Sequence, residues 1–174
     1  MGSDKALVRV GGRAMAVIVA AALRAGGATE VFAVGGDAGR LGALGLRVVP
    51  DAHPGDGPLG GLLTALATAS EDLVVVLACD LPRASGPAVA AAVAALARNP
   101  AAGVAVPVVD GRPHPLHAAW RRSAAQERLV GAFAAGRRAV HPLLDVVGMV
   151  AVEGIAPAAL ADADSADDLR TMEP

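Results

Sequence analysis

Residues 73–82 have the sequence Leu-Val-Val-Val-Leu-Ala-Cys-Asp-Leu-Pro, in which an apolar run ends in one acidic residue and a proline. A short run that is apolar on both faces is typical of a strand inside the parallel sheet of an α/β protein. Ligands of such sheets bind outside the carboxyl ends of the strands. Asp80 is therefore the first candidate site residue, and its carboxylate suits Mg²⁺. The alternative is a structural role, in which Asp80 caps the turn or helix that follows.

Helical and extended patterns alternate on both sides of this run, separated by glycine, proline and aspartate. They predict helices over residues 14–25, 59–69, 87–97, 123–135 and 165–170, and strands over residues 30–34, 46–49 and 73–78. The Asp110-Gly111 turn, between residues 103–109 and 116–120, indicates a hairpin or another antiparallel addition. We expect an α/β fold with a doubly wound, mostly parallel sheet and a small antiparallel addition, in a single domain over residues 1–174.

Composition narrows the class of partner. The 174 residues are 54% hydrophobic, and 15 Lys and Arg stand against 17 Asp and Glu. This balance, without a basic block, argues against nucleic acid or an anionic membrane as a partner and favours small molecules. Cys79 is the only cysteine, which excludes an internal disulfide and fits a reducing, cytoplasmic compartment. We expect Cys79 to be buried in its strand.

The N-terminal region offers an alternative, because basic residues precede the apolar run over residues 14–23 in the manner of a secretory signal. Asp4 and the Gly11-Gly12 pair argue against a signal. The run also continues as a helix that ends at Gly26-Gly27. We therefore expect a helix of the folded domain here.

Other polar segments have both a functional and a structural interpretation. Asp51 follows a predicted strand, and the glycine-rich loop over residues 55–61 leads into a helix, so its backbone amides can face a ligand. The alternative is a flexible turn, because the loop has neither Walker nor dinucleotide-binding spacing. Carboxylates in residues 162–169 precede a short helix, which by itself is typical of an N-cap. His114 and His117 have metal-ligand spacing only on a helix, and the prolines beside them argue against one.

Taken together, these segments resemble the molybdenum cofactor guanylyltransferases, a family of nucleotidyltransferases. The resemblance begins inside the first signature of the family, at Met1, and covers essentially the whole chain in order and spacing. The matching motifs are Met1-Gly-Ser-Asp-Lys-Ala-Leu7, Val49-Pro-Asp51, Gly57-Pro-Leu-Gly-Gly-Leu62, Cys79-Asp80-Leu-Pro82, His114-Pro-Leu116, Ala135-Gly-Arg-Arg138 and Asp162-Ala-Asp164-Ser-Ala-Asp-Asp-Leu169. The second, third and fourth motifs lie at predicted strand ends or helix starts. The glycine loop and the Cys79-Asp80 motif resemble the guanylyltransferases more than the cytidylyltransferases that serve the same cofactor.

The resemblance implies transfer of GMP from GTP to the phosphate of molybdenum-carrying molybdopterin, with release of pyrophosphate and with Mg²⁺ as cofactor. It implies that Lys5 binds the phosphates and that Asp51 and the Gly57-Pro58 loop contact GTP. It also implies that Asp80 holds Mg²⁺, with Asp164 as a second ligand. Lys5 and Asp80 are then the catalytic residues, and no protein base is needed because a phosphate oxygen is already a nucleophile. Molybdoenzymes or cofactor-handling proteins are further expected partners.

The sequence departs from the family pattern in several places. The strand and the L-A-G-G loop that open the family signature do not precede Met1, which favours an upstream start and predicts unpaired strand edges inside the fold. Gly36 stands where the family has asparagine, and Asp162 and Asp164 stand where it has amides. The alternatives are a non-catalytic relative that binds a nucleotide or a partner, and a nucleotidyltransferase for a cytidine or sugar substrate. The Arg137-Arg138 pair either meets the pterin phosphate or is a solvated charge pair.

Overall fold

The computed structural model of the chain describes residues 5–163. The helices are α1 Met15–Ala25, α2 Ala38–Ala43, α3 Gly57–Thr68, α4 Gly86–Arg98, α5 Arg122–Ala134 and α6 Leu144–Val147. The strands are β1 Arg9–Val10, β2 Arg13–Ala14, β3 Phe32–Val34, β4 Arg47–Val49, β5 Leu73–Leu77, β6 Val104–Val109, β7 Arg112–Pro113, β8 His117–Arg121 and β9 Met149–Val152. Single turns of 3-10 helix lie at Lys5–Leu7, His141–Leu143 and Pro157–Ala159.

The strands pair in separate groups. β1 and β2 form a small antiparallel hairpin, and β3 pairs with β4 in parallel. In the largest group β8 lies between β5 and β6 and is antiparallel to both. β6 also pairs with β9 in parallel and, at its far end, with β7 in antiparallel orientation. The antiparallel strand β8 therefore lies between β5 and the parallel pair of β6 and β9.

Helices cover both faces of the larger sheet. Successive side chains of a strand point to opposite faces, so each face carries apolar residues that pack against a helix. On one face, Trp120 packs with leucines of α3 and α5, including Leu66 and Leu129, and all three side chains are fully buried. On the other face, Ala105 and Ala119 pack against α4. The alanines leave room for the close approach of that helix. A third cluster joins α1, α2 and β4 beside the smaller sheet.

A cavity separates the two sheets. It has a volume of about 830 Å³ and is lined by both β3 and β5, and by faces of α1 and α3. In residues 5–163, β3 pairs only with β4 and β5 pairs only with β8, so the remaining edge of each strand faces this cavity. We call it the slot. Its presence confirms the prediction of unpaired strand edges inside the fold.

The sequence predictions agree with the structure for the α/β class and for most long elements. The turn at Asp110-Gly111 has positive φ at both residues, 50° and 74°, but it joins β6 to β7, and β8 follows later. The predicted N-cap Ser123 is the second residue of α5, and Arg121 is the N-cap. The predicted helix over residues 165–170 lies outside the described residues. The sequence patterns do not predict α2, α6, β1, β2, β7 or β9.

The prediction for Cys79 is wrong, because this residue is exposed. β5 ends at Leu77, so Cys79 lies beyond the last strand residue, at the edge of the sheet. Among residues 5–163, no helix combines the length and the apolar character that crossing a membrane requires.

Candidate active site

Asp80 lies just past the carboxyl end of β5, where the sequence placed it. Its carboxylate oxygen Oδ2 lies 3.3 Å from Nζ of Lys5. The Lys5 side chain is 37% exposed and that of Asp80 20%, so both retain access to a ligand. Each is fixed through its neighbours: Ala6 packs in the cluster around α1, and the N–H of Ala163 donates to the Asp80 carbonyl at 3.0 Å. The structure thus brings together the two residues expected to be catalytic.

Asp51 follows β4 and is held by α3. Its Oδ1 atom accepts hydrogen bonds from the N–H of His53 and from the hydroxyl of Thr64, both at 3.0 Å. Thr64 is only 4% exposed, and its hydroxyl also accepts from the N–H of Ala52 at 3.2 Å. In residues 5–163 both bonds to the carboxylate use Oδ1, so Oδ2 is left to accept from a further donor. Thr64 therefore orients Asp51 toward the start of α3.

The start of α3 is the glycine-rich segment that the sequence singled out. Gly57 has φ +76°, a conformation that side chains disfavour, and Pro58 follows within the first turn. A methyl group on Gly60 would lie 2.8 Å from Cβ of His53, so only glycine lets the loop after β4 pack against the helix. The loop is thus a packed structure, and the interpretation as a flexible turn does not hold.

Arg138 fastens this segment from the opposite side. Its Nε donates to Oδ1 of Asp56 at 2.9 Å, and its guanidinium lies 4.1 Å from the ring centroid of Phe133. The carbonyl of Arg138 accepts from the N–H of Leu59 at 3.1 Å. The exposed charge of Arg138 pairs with Asp56 at the start of α3, and contact with the pterin phosphate stays a prediction. Arg137 is exposed.

His117 begins β8 beside the end of β5, opposite Leu77. Both of its ring nitrogens are buried and, in the described part of the chain, have no hydrogen-bond partner. Burial lowers the pKa of His117 to about 4, with the neighbouring His114 acting in the same direction and Asp80 opposing it. The ring is therefore neutral near pH 7. The two histidine rings meet edge to face with centroids 5.5 Å apart.

The described residues do not build a metal site from protein groups alone. Within residues 5–163, no group of at least three His, Cys, Asp or Glu side chains lies close enough together to hold an ion. Asp164, the expected second ligand, lies outside the described residues. Among the described residues, Asp80 supplies the carboxylate at the end of β5. Mg²⁺ is commonly bound by one carboxylate together with the phosphates of a substrate.

The expected site residues share one edge of the fold. The lining of the slot includes Ala6 beside Lys5, Gly35 beside Asp51, Pro58 at the start of α3, and Cys79 beside Asp80. The carboxyl ends of β3 and β5 therefore open onto the same space. Sequence reasoning did not identify Thr64, whose polar side chain within an apolar helix was the available signal, or the contact of Arg138 with Asp56.

The chain is similar in sequence to known proteins over the segments that form this site. A family described as MobA-like NTP transferase domain matches residues 1–146. A molybdenum cofactor guanylyltransferase of Cereibacter sphaeroides is 34% identical over 177 residues, which cover 99% of this chain and 84% of that protein. A protein of Pelotomaculum thermopropionicum, named "Probable molybdenum cofactor guanylyltransferase", is 44% identical over 82 residues, or 47% of this chain and 40% of that protein.

Solved structures show the same fold. Molybdopterin-guanine dinucleotide biosynthesis protein A from Archaeoglobus fulgidus superposes with a TM-score of 0.76 at 22% identity, covering 98% of this chain and 89% of that one. The 2-C-methyl-D-erythritol 4-phosphate cytidylyltransferase from Thermus thermophilus superposes with a TM-score of 0.75 at 25% identity, covering 97% and 92%. The chain thus shares its fold with both of these proteins.

Proposed function

The chain belongs to the MobA-like NTP transferase family, and from this premise we propose that it transfers GMP from GTP to molybdenum-molybdopterin. The products are the guanine dinucleotide form of the cofactor and pyrophosphate. The observation that carries the proposal is the Lys5–Asp80 pair at the carboxyl end of β5. The similarity to the Cereibacter guanylyltransferase, which extends over 99% of the chain, supports the choice of guanine and of the pterin acceptor.

Lys5 binds phosphate oxygens in this proposal. Its ammonium has three N–H donors, so it can keep its contact with Asp80 and still donate to a phosphate. A fixed positive charge at this point stabilises the negative charge that develops on the phosphates during transfer. The acceptor phosphate attacks as an anion, so alignment of the two substrates replaces a protein base. The Asp51–Thr64 pair and the Gly57-Pro58 turn position the nucleotide.

Asp80 is the proposed ligand of Mg²⁺. A carboxylate oxygen is the kind of donor that Mg²⁺ prefers, and the 20% exposure of this side chain leaves it accessible. When bound, the ion neutralises charge on the phosphates of GTP. Asp164 is proposed as a second ligand from its position in the sequence alone. Asp80 also holds Lys5 in place before the substrate arrives.

The remaining expectations follow from this activity. We place the reaction in the cytoplasm, where the single cysteine stays reduced. Molybdoenzymes or cofactor-handling proteins are the proposed recipients of the product. Nucleic acid and membranes are not proposed as partners, because acidic and basic residues are nearly balanced in number.

The test is a transfer assay with GTP, Mg²⁺ and molybdenum-molybdopterin, which follows pyrophosphate release and dinucleotide formation. Asp80→Asn should lower the rate by about a hundredfold or more, because a neutral amide is a poor ligand of Mg²⁺ and lacks the negative charge that attracts Lys5. Asp145→Asn is the matched control, because Asp145 is an exposed carboxylate of α6, which precedes β9 at the opposite end of the sheet. Equal rates for Asp80→Asn and the parent chain would reject the assigned role of Asp80.

Cytidylyl transfer is the second candidate. The superposition on the Thermus cytidylyltransferase, which covers 97% of this chain at 25% identity, is the observation that favours it. The assay separates the candidates when CTP replaces GTP. Faster transfer from CTP would support the second candidate and reject the first.

A further inference from the structure

The hairpin of β6 and β7 lies at the same edge of the fold as Asp80. β5 and β6 are both antiparallel to β8, so they are parallel to each other and their carboxyl ends share one edge. β6 ends at Val109, and the turn at Asp110-Gly111 leads directly into β7. The hairpin therefore stands beside the candidate active site, and the transfer reaction has so far given it no role.

Hydrogen bonds show that β7 continues the line of β8. The carbonyl of Gly103 accepts from the N–H of Arg121, and the carbonyl of Pro107 accepts from the N–H of His114 at 2.9 Å. Residues four apart in a strand direct their carbonyls to the same side, so β7 and β8 lie along the same edge of β6. Because β8 lies between β6 and β5, β7 occupies the strand position next to the end of β5.

The connection between β7 and β8 is attached to the segment that carries Asp80. The carbonyl of Leu116 accepts from the N–H of Ala78 at 2.9 Å, which continues the pairing of β5 with β8 by one residue. Asp80 and His114 each follow two residues further toward the same edge. Arg112 precedes His114 by two residues, so its backbone lies about 7 Å further along the chain.

Arg112 lies on the side of the sheet toward which the chain leaves Asp80. Val109 and Arg112 are opposed in the hairpin, so their side chains share one face. Ala105, four residues before Val109, packs against α4, which identifies this face as the one that α4 covers. The loop after Asp80 leads into α4. Arg112 and this loop therefore lie on the same side.

The hairpin is a short and rigid arm. Positive φ at both Asp110 and Gly111 is the conformation of the two-residue turn whose twist matches that of paired strands. Pro107 and Pro113 fix their own φ angles in the two strands. A side chain presented on a rigid backbone binds a ligand with a smaller loss of conformational entropy.

Arg112 is an exposed cation at this edge. Within residues 5–163, no acidic side chain forms an ion pair with it, whereas Lys5 is paired with Asp80 and Arg138 with Asp56. A phosphomonoester carries about two negative charges near pH 7. Bringing it against the phosphates of GTP requires a further positive charge, and Arg112 can supply it from the α4 side.

We propose that the hairpin of β6 and β7 is the subsite for the acceptor phosphate, with Arg112 as the ligand of this phosphomonoester. The inference rests on the proposed transfer reaction. The planar guanidinium donates two N–H groups to the phosphate and stays protonated throughout. Another oxygen of this phosphate attacks the α-phosphorus of GTP and forms the new P–O bond. The bond from that phosphorus to the bridging oxygen breaks, and pyrophosphate leaves with the electron pair.

Binding of molybdopterin without nucleotide tests the subsite independently of transfer. The probes are molybdopterin and the same compound after a phosphatase has removed its phosphate. The parent chain should bind the phosphorylated probe at least about tenfold more tightly in calorimetry. Arg112→Gln should lose this preference and bind the two probes equally. Equal or undetectable binding of both probes by the parent chain, or a preference that Arg112→Gln retains, would overturn the proposal.

Two further variants control for charge and for folding. Arg98→Gln is the matched control, because Arg98 is an exposed arginine at the last residue of α4, about 18 Å along the helix from its start. It should keep the preference of the parent chain. Arg112→Lys keeps the charge without the planar fork and should retain part of the preference. Thermal unfolding checks that each variant is folded. An equal loss in Arg98→Gln and Arg112→Gln would contradict a specific contact.

The transfer assay distinguishes the two proposals. Arg112→Gln should raise the KM for molybdenum-molybdopterin at least about tenfold and leave the KM for GTP unchanged, because the hairpin contacts only the acceptor. An unchanged KM for the acceptor would reject the role of Arg112. A parent chain that prefers the phosphorylated probe and transfers no GMP would reject the proposed function while the subsite stands.

Discussion

Replacement of the buried Thr64 by valine is expected to destabilise the fold and loosen the site together. Valine has nearly the same shape, so packing is preserved, but the N–H of Ala52 loses its acceptor and Asp51 loses a hydroxyl donor. Ala52 is an exposed residue, so water can replace the acceptor of its N–H at little cost, whereas a lost hydrogen bond to a charged group costs about 1.5–3 kcal/mol. Part of this is recovered because valine is the more apolar side chain. We expect a loss of about 1–3 kcal/mol in the free energy of unfolding.

The assay is chemical denaturation of Thr64→Val and Thr64→Ser. The free energies of unfolding of the two variants are compared with that of the parent chain, provided that their m-values are equal. Serine keeps the hydroxyl and loses only a methyl group, so its cost should be about 1 kcal/mol. GTP affinity should fall in the valine variant and stay close to the parent value in the serine variant, because only serine holds Asp51. If the valine variant proves as stable as the serine variant, the hydrogen bonds of Thr64 do not stabilise the fold.

Three further changes test other parts of the structure. His117→Phe should remove a dependence of stability on acid pH. The pKa of His117 in the folded protein, about 4, lies below the ordinary 6.5, so the parent chain loses stability as the pH falls from 6.5 to 4. Denaturant titrations should show a loss of about 3 kcal/mol in the parent relative to the variant over this range. Asp72→Ala removes the acceptor that caps the start of α5 and should cost about 1 kcal/mol at pH 7. The pKa of Asp72 is held below 3.8, chiefly by the backbone N–H it accepts from, so its contribution is present above pH 3.8 and disappears as pH falls through the folded pKa. Gly60→Ala should lower the Tm through a cost of about 1–3 kcal/mol at His53, whereas Gly61→Ala, which meets no atom, should leave the Tm equal or higher.

Much of the fold was predictable because hydrophobic patterns report burial directly. The run Leu73–Leu77 and the alanine-rich stretch of α4 each fix an element type by length and apolar content. α2 was missed because Gly39 and Gly42 interrupt its six residues and break the helical pattern. β9 was missed because the parallel pairing that defines it comes from β6, far away in sequence.

Part of the candidate site could be predicted because some of its residues directly follow strands. Asp51 and Asp80 follow strands, and a sheet brings the ends of its strands to one edge without information about side chains. Lys5 was placed by the family resemblance, and the structure brings it to 3.3 Å from Asp80. The contacts of Arg138 with Asp56 and Phe133 depend on how a loop crosses the start of α3. Such a crossing has no local sequence pattern.

The edge that holds Asp51 and Asp80 is the proposed guanine-nucleotide site. Its most direct test is calorimetric titration of the chain with GTP and with CTP, each in the presence of Mg²⁺, with Asp80→Asn as the control. We expect GTP to bind at least about tenfold more tightly than CTP, and we expect Asp80→Asn to weaken GTP binding. Binding of neither nucleotide, or tighter binding of CTP, would contradict it.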